Sequence, residues 1–347
     1  MMKVGIVSTF LPEKSGIAIY SNNLVDNMRG VNDLEVVTIG TLKSNTDYRI
    51  KLDSLELFKD LNKIIEKESP EIIHFQYIAS LYGKYTLNLP FLRALKRIRA
   101  PKIVTLHEVQ IDSQTVKEKI LSSIENKVVG YANRIITHTG NQAELINKRY
   151  RTKKAECVYM GMEVKGNMPQ KGKNILFFGM LSEGKGVTYL IRSMDYLKGY
   201  KLKIAGMPIT EKYKNKILQE KEKAKNSKEI EMELGWVAEK EKDSLYRWAN
   251  IVVLPYTWAP YQSAVLHDAL SYGIPVVVTR VGAICEIVEK FHLGITVEPK
   301  KPAGLSEGIE QVHSNYNSYQ YGILKYSNEA NWKTTGSHHI KLYSSIV

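Results

Sequence analysis

Short apolar runs rich in β-branched residues alternate along the chain with longer segments of helical period, and this alternation constrains the fold most. Such alternation is typical of βαβ units, which place their strands in one parallel sheet. We therefore expect an α/β chain with two Rossmann-like sheets. The predicted strands of the first sheet are 4–7, 34–39, 72–75, 103–106, 134–137 and 157–159, and those of the second are 175–178, 202–205, 230–234, 251–254, 276–278 and 295–297.

The length of the chain also favours two domains, since single cores stop growing beyond about 250–300 residues. A polar, glycine-containing stretch from Gly161 to Lys173 is the best candidate for an interdomain linker. The expected domains are residues 1–165 and 166–323. Ligands of such folds bind at the carboxyl ends of the strands, so the cleft between the two sheets is the expected site.

The formal net charge is +13, and the basic excess is divided almost evenly between the halves of the chain. An anionic partner would suit this charge, but its even spread argues against a dedicated nucleic-acid domain. Cys157 and Cys285 are the two cysteines, which argues against a disulfide framework or a structural zinc site. No apolar stretch approaches bilayer length and no signal-peptide core is recognised, so we expect a cytoplasmic protein.

A glycine-rich stretch, Gly179 to Gly186, connects a predicted strand to a predicted helix and contains Lys185. The free amides of a helix N-terminus attract phosphate, so the amides near Gly184 and the lysine ammonium could bind a diphosphate. An ordinary βα turn with a solvated lysine is the alternative. The stretch does not match a Walker loop, because its Gly-Lys is not followed by serine or threonine.

A second informative stretch runs from Pro255 to Val278 and reads as strand, loop, helix, Gly-x-Pro break and strand. We expect the helix to begin near Gln262. The first-turn positions Gln262, Ser263 and Val265 would then face the ligand, and Asp268 could reach ribose hydroxyls from the same side. A merely solvated aspartate is the alternative.

Histidines follow or end several predicted strands. His74 and Gln76 are candidates for the acceptor side of the site, with a satisfied structural histidine as the equal alternative for His74. His138 carries the same ambiguity. His267 is assigned to structure, because it points about 100° away from Asp268. The pair His338 and His339 is expected on a solvated helix face.

Together these stretches resemble glycosyltransferase family four, a retaining family whose GT-B fold pairs two facing Rossmann-like domains. The resemblance covers nearly the whole chain, from the loop at Gly16 to a C-terminal helix over 324–347 that would cross back to the first domain. It implies that His107, which ends Val104-Thr105-Leu106-His107, contacts the donor sugar. Lys185 matches the lysine that pairs with the diphosphate.

Three more positions gain roles from the same resemblance. Asp268 falls on the second glutamate of the family's Glu-x7-Glu motif, which holds the ribose. Gly282 and Glu286 match the family's Gly-Gly-x-x-Glu stretch. The donor-binding set implied by resemblance and pattern is therefore Gly16, Gly184, Lys185, Gln262, Ser263, Val265, Asp268, Gly282 and Glu286, with His107 and Lys185 closest to the chemistry.

The chain departs from the family pattern at three positions. Met180 replaces the arginine that neutralises the diphosphate, which removes one of two cations. Pro260 stands at the first glutamate of Glu-x7-Glu and cannot replace its hydrogen bonds, although Gln262 or Ser263 could. Asp268 is one methylene shorter than the glutamate. These departures allow an alternative, a catalytically impaired nucleotide-sugar-binding protein of the same fold.

The resemblance implies transfer of a hexose from a nucleotide-diphosphate sugar to a glycan or lipid-linked hydroxyl, with retention of configuration. No dinucleotide motif or Asp-x-Asp metal motif occurs, so no cofactor and no required metal are expected. A sugar phosphorylase, a nucleotide-sugar epimerase and a solute receptor are weaker alternatives. The segment 90–99 carries Arg93, Lys96, Arg97 and Arg99 opposite an apolar side, which suits either an anionic membrane surface or an ordinary solvated face.

Overall fold

The computed structural model describes residues 1–31, 33–83, 87–110, 115–259 and 262–347. The described chain divides into two compact units. The first unit comprises Met1–Gly161 and Ala330–Val347, and the second comprises Met162–Glu329. Each unit holds one parallel sheet covered by helices.

The strand order is β3-β2-β1-β4-β5-β6-β7 in the first sheet and β10-β9-β8-β11-β12-β13 in the second. All pairings between these strands are parallel. The strands are β1 (Met2–Val7), β2 (Leu34–Gly40), β3 (Tyr48–Arg49), β4 (Ile72–Tyr77), β5 (Lys102–Leu106), β6 (Arg134–Thr137), β7 (Ala155–Cys157), β8 (Asn174–Phe178), β9 (Lys201–Gly206), β10 (Ile230–Leu234), β11 (Ile251–Leu254), β12 (Val276–Thr279) and β13 (Gly294–Val297).

Helices connect the strands, and Ser or Thr side chains cap the N-termini of several of them. Within the described ranges, no helix is both long and apolar enough to cross a membrane. The helices are α1 (Gly16–Met28), α2 (Leu57–Glu68), α3 (Leu89–Arg97), α4 (Val116–Tyr131), α5 (Gly140–Arg149), α6 (Val187–Ser193), α7 (Glu211–Lys223), α8 (Glu239–Trp248), α9 (Ala264–Ser271), α10 (Ile284–Phe291), α11 (Pro302–Ser314), α12 (Tyr316–Glu329) and α13 (Trp332–Ser344).

The first sheet has a hydrophobic cluster on each of its faces, because alternate residues of a strand point to opposite sides. Ile73 and Phe75 of β4 belong to one cluster, while Ile72 belongs to the other. The second cluster also includes Leu342 and Tyr343 of α13, which packs against α1. The chain therefore completes this core with a segment that follows the whole second unit.

Most strand predictions agree with the structure to within two residues. Parallel strands buried on both faces give continuous apolar runs, which is why Arg134–Thr137 and Ile251–Leu254 are predicted with their observed bounds. The predicted strand 157–159 lies two residues too far along the chain, because Ala155 to Cys157 pair with β6. The two-residue strand β3 was not predicted.

The segment from Gly161 to Lys173 is not a free linker. The amide of Lys165 donates to the carbonyl of Ser271 at 2.6 Å. The side chains of Gln320 and Asn250 donate to the carbonyls of Pro169 and Gln170 at 2.8 and 2.9 Å. Residues 162–173 are therefore anchored within the second unit, and the chain changes unit at Gly161/Met162 and Glu329/Ala330. The predicted segment 324–347 spans the end of α12 and all of α13.

Candidate functional site

The carboxyl ends of β8, β11 and β12 lie side by side in the second sheet. The chain proceeds from β8 to β9 and β10 on one side, and then returns to β11 on the other. This reversal of direction is a topological switch point, where open α/β sheets bind ligands. Three loops meet there, and all donor-site residues predicted in the second unit lie in them or in the helices that follow.

The loop after β8 requires glycine at position 186, the end of the glycine-rich stretch seen in the sequence. Gly186 has φ +66°, and a Cβ atom there would lie 1.9 Å from the carbonyl oxygen of Pro255. Gly184 lies in a 3₁₀ turn, Glu183–Lys185, and its carbonyl accepts the amide of Thr257 at 2.8 Å. The loops after β8 and β11 are thus joined by close backbone contact.

Lys185 is held over an aromatic ring rather than solvated. Its Nζ lies 3.7 Å from the ring centroid of Tyr256, which is fully buried. The Tyr256 hydroxyl lies 3.2 Å from Oγ of Ser263, the N-cap residue of α9. Burial lowers the pKa of Lys185 to about 8. The turn therefore presents a partly desolvated cation close to the start of α9, where anions bind.

Helix α9 begins at Ala264, two residues after the predicted start. Ser263 caps it by accepting the amide of Leu266, and Val265 lies beside Gly179, where a Cβ atom would be 3.4 Å from its methyl group. The side chain of Gln262 donates through Nε2 to the carbonyl of Ala283 at 2.9 Å. Gln262 thereby joins the loop after β11 to the loop after β12.

Asp268 is not simply solvated, because it forms an ion pair. Its Oδ2 lies 2.9 Å from Nζ of Lys242 on α8, and the two side chains are only 26% and 13% exposed. Burial raises the pKa of Asp268, while Lys242 opposes that rise. Lys242 was not predicted, since nothing in the local sequence indicates which lysine on α8 meets a residue on α9.

The loop after β12 contributes the third wall. Gly282 has φ +56°, a conformation that favours glycine. Glu286 lies in the first turn of α10 and is half-buried. The structure thus places Gly282 and Glu286 at the same edge as Lys185 and Ser263.

Met180, one of the departures from the family pattern, lies at this edge as well. Met180 follows Gly179 in the loop after β8, and its side chain is 63% exposed. An exposed thioether offers no charge to a diphosphate at this position. Pro260 lies outside the described residues.

The predicted residues of the first unit lie near the carboxyl ends of β1, β4 and β5. Gly16 is the first residue of α1, whose N-terminus is capped by the Ser15 side chain. His107 follows β5 and is 8% exposed. Its Nε2 lies 2.8 Å from the side-chain amide of Gln76 at Oε1, and its Nδ1 lies 3.2 Å from Nε2 of His138. Both ring nitrogens of His107 therefore have partners within the unit.

His74 has the contacts of a structural histidine. It is the third residue of β4 rather than its end, and it is fully buried. Its Nδ1 lies 2.7 Å from the Tyr343 hydroxyl, and its Nε2 lies 2.7 Å from the Thr105 hydroxyl. The prediction that His74 ends a strand is wrong, and the side chains of His74 and Gln76 are both fully buried.

Three further histidines are buried, and burial lowers the pKa of two of them, His339 and His267, to about 4. His339 is fully buried, with Nδ1 2.8 Å from the carbonyl of Thr335, so the prediction of a solvated pair is wrong for it. His338 is exposed. His267 is structural as predicted, since its Nδ1 lies 3.1 Å from the carbonyl of Ser263. His138 contacts the carbonyl of Val158.

The basic face of α3 is exposed, while its apolar face is packed in the core. Arg93, Lys96, Arg97 and the following Arg99 are exposed, and Leu92 and Leu95 are buried. This arrangement fits the solvated-face alternative and leaves four cations available to an anionic surface. Among the described residues, no group of three or more His, Cys, Asp or Glu side chains could hold a metal ion.

Comparison with known proteins relates the second unit to a family. Residues 162–324 match the family model of glycosyl transferases group 1. An uncharacterized glycosyltransferase of Methanocaldococcus jannaschii is 33% identical over 152 residues, which are 43% of this chain and 38% of that protein. A second uncharacterized glycosyltransferase of the same organism is 24% identical over 338 residues, which cover 91% of this chain and 89% of that protein.

The fold is shared with solved structures of low sequence identity. The Anabaena protein HepE, crystallised with UDP, has a TM-score of 0.78 and 14% identity, with 99% of this chain and 100% of that chain covered. This similarity confirms the predicted α/β fold class with two Rossmann-like sheets, the GT-B class. The resemblance to group 1 glycosyltransferases is likewise confirmed: the second unit of this chain carries a domain of that family.

Proposed function

We propose that the chain moves a hexose from a nucleotide-diphosphate sugar to a hydroxyl of a glycan or lipid-linked acceptor, with retention of configuration. The position of Lys185 at the switch point of the second sheet carries the proposal. HepE, which shares the fold, was crystallised with UDP and with UDP-glucose. A nucleotide-diphosphate sugar matches a site that combines a lysine, a helix N-terminus and an aspartate.

Lys185 and the amides that follow Gly184 would bind the diphosphate. The partly desolvated ammonium interacts more strongly with phosphate than a solvated one, since the local dielectric is lower. Negative charge on the leaving diphosphate grows in the transition state, and a cation fixed in advance stabilises it there. Gly282 and Glu286, on the adjacent loop, would line the opposite side of the donor.

Asp268 would hold the ribose of the donor. Lys242 binds its Oδ2, so Oδ1 would accept the ribose hydroxyls. The ion pair also fixes the orientation of the Asp268 side chain, which is shorter than the family's glutamate. We assign His107 to the region of the transferred sugar. It would position the sugar rather than transfer a proton, since Gln76 and His138 occupy its ring nitrogens.

In this proposal the acceptor hydroxyl attacks from the face that the diphosphate leaves. The bond from the anomeric carbon to the phosphate oxygen breaks as the bond to the acceptor oxygen forms, and the departing phosphate takes the hydroxyl proton. No protein nucleophile and no required metal enter the scheme.

The basic face of α3 allows a test of whether the acceptor lies at a membrane. We propose that Arg93, Lys96, Arg97 and Arg99 hold the chain, as a cytoplasmic protein, against an anionic membrane surface. Co-sedimentation with phosphatidylglycerol vesicles should fall about tenfold when Arg93 and Lys96 are both changed to Gln. Equal binding of the two proteins would remove the membrane from the proposal and favour a soluble glycan.

A catalytically impaired nucleotide-sugar-binding protein is the second candidate. Two observations favour it: Met180 supplies no charge, and Lys242 already occupies one oxygen of Asp268. Binding of a donor without release of nucleoside diphosphate would distinguish this candidate from a transferase.

A thermal-shift panel of UDP-, GDP- and ADP-sugars tests the proposal directly, because a ligand that binds the native state stabilises it. One donor should raise the melting temperature of the wild type and leave Lys185→Ala unchanged. Lys216→Ala is the matched control, since Lys216 pairs with Glu183 in the same region at 2.8 Å. No shift with any donor at about 1 mM would contradict a nucleotide-sugar site.

A further inference from the structure

The side chain of Gln262 has a fixed orientation. The carbonyl oxygen of Ala283 can only accept a hydrogen bond, so the atom 2.9 Å from it must be the amide nitrogen of Gln262. The side-chain oxygen Oε1 is therefore turned away from Ala283. Rotating the amide by 180° would bring two carbonyl oxygens together, which forbids the alternative.

The Oε1 atom of Gln262 is buried and has no hydrogen-bond partner among the described residues. The residue is 8% exposed. An unsatisfied buried acceptor destabilises the fold, and such groups are few in native proteins. At a ligand-binding edge, an unpaired acceptor gains a hydrogen bond when the bound ligand supplies a donor. Elsewhere in the fold no ligand would supply that donor.

The position of Gln262 indicates which part of a ligand it would meet. Asp268 is paired with α8, on the side of the site towards the nucleoside in the proposed function. Gln262 is instead hydrogen-bonded to Ala283 in the loop after β12. A phosphate oxygen offers no proton to Oε1, so the diphosphate does not fit this position, whereas a sugar hydroxyl does.

We propose that Gln262 Oε1 accepts a hydrogen bond from one hydroxyl of the transferred sugar and thereby determines which sugars the chain accepts. The inference rests on the proposed function, since it assigns the sugar end of the same donor. A site built to bond a hydroxyl discriminates against sugars that lack it, because the buried oxygen then stays unpaired.

Paired titrations of a nucleoside diphosphate and its sugar test this assignment. Calorimetric affinities are measured for UDP, GDP and ADP and for their glucose and mannose conjugates, on wild type and on Gln262→Met. Methionine keeps the length of the side chain and removes the acceptor oxygen. For the tightest conjugate, Gln262→Met should weaken binding about tenfold, with the affinity for the matching free diphosphate unchanged.

A matched control is Gln320→Met, which removes a side-chain amide that donates to the carbonyls of Pro169 and Gly273. It should leave the ratio of conjugate to diphosphate affinity at the wild-type value. The deoxy conjugate that lacks the bonded hydroxyl should bind wild type and Gln262→Met equally. A Gln262→Met protein that keeps the full conjugate affinity overturns the assignment.

Different results would refute the role of Gln262 and the proposed function. Binding of free diphosphate with an unaltered conjugate ratio in Gln262→Met refutes the role of Gln262 and leaves the donor site standing. Absence of binding by every diphosphate and conjugate refutes the proposed function and the role of Gln262 together.

Discussion

The Nδ1 atom of His138 lies 3.0 Å from the carbonyl oxygen of Val158 and therefore carries a proton. In neutral His138 the Nε2 lone pair then faces Nδ1 of His107 at 3.2 Å, so His107 must donate from Nδ1. Its Nε2 becomes an acceptor, which requires the amide nitrogen of Gln76 to turn towards it. One backbone carbonyl thus sets the tautomers of two histidines.

The first prediction concerns these tautomers. The pKa of His107 is held well below its usual value by burial, so the neutral arrangement should dominate near neutral pH. Long-range ¹H–¹⁵N NMR should show His107 protonated at Nδ1 and His138 protonated at Nδ1. A His107 protonated at Nε2 would instead mean that Gln76 presents its oxygen and that a proton lies between the two imidazoles.

The second prediction concerns acid stability of the first unit. Burial lowers the pKa of His339 from 6.5 to about 4, so between these values the unfolded chain binds more protons than the folded one. The contribution of His339 to stability should therefore be constant above about pH 6.5 and fall as the pH is lowered, by about 2 kcal/mol at pH 5. Urea denaturation across this range measures the slope.

His338 provides the control for His339, because it is exposed and adjacent. His339→Gln should make the acid limb of the stability profile less steep, because His74 and His107 still resist protonation, whereas His338→Gln should leave the slope unchanged. Equal slopes in both variants would mean that the buried imidazole of His339 does not resist protonation.

The third prediction concerns the charge of Lys185. Because its pKa is about 8, the ammonium is lost as the pH rises through that value, and affinity for a diphosphate should fall with it. The bound phosphate raises the pKa of the lysine, so affinity should drop about tenfold per pH unit above about pH 8. Lys185→Arg should bind independently of pH over this range. A wild-type profile equally flat would exclude Lys185 from the diphosphate contact.

The fourth prediction concerns the ion pair of Lys242 and Asp268. Lys242→Met leaves a mostly buried carboxylate without its cation and should lower the free energy of unfolding by about 1–2 kcal/mol. The added change Asp268→Asn should restore most of that loss, which a double-mutant cycle in urea would measure. Lys240→Met, an exposed position on the same helix, should be neutral. Additive losses in the cycle would show that the two residues do not interact.

The fifth prediction compares two glycines in the loop after β8. Gly186→Ala places a methyl group 1.9 Å from the Pro255 carbonyl at a positive φ and should cost about 3 kcal/mol or more. Gly184→Ala meets no atom within 4 Å and should change stability by less than about 0.5 kcal/mol. Similar melting temperatures for the two variants would contradict the packing of this loop on the next.

Local pattern predicted the sheets well and the long-range contacts of the site poorly. The strand Ile251–Leu254 was predicted with its observed bounds, since its continuous apolar run reflects complete burial. The pairing of Lys242 with Asp268 depends on how α8 meets α9, and periodicity within one helix does not contain that information. The same holds for Gln262, whose partner lies 21 positions away.

The prediction for His339 failed, and the predicted linker stretch contains the change of unit at Gly161 but is hydrogen-bonded beyond it. His338 and His339 are identical in type, yet helix rotation exposes one and buries the other. The glycines and lysines between Gly161 and Lys173 suggested a linker, but Asn250 and Gln320 bind the backbone there. The sequence shows that a segment is polar, but only the fold shows which groups form its hydrogen bonds.

The return of α13 to the first unit has a consequence for synthesis on the ribosome. Residues 330–347 emerge only after the entire second unit, so the first unit waits with Tyr20 and His74 lacking the partners that His339 and Tyr343 provide. The second unit, continuous in sequence, needs no such delay. A released chain that ends at Glu329 should therefore resist protease in the second unit and be cut in the first.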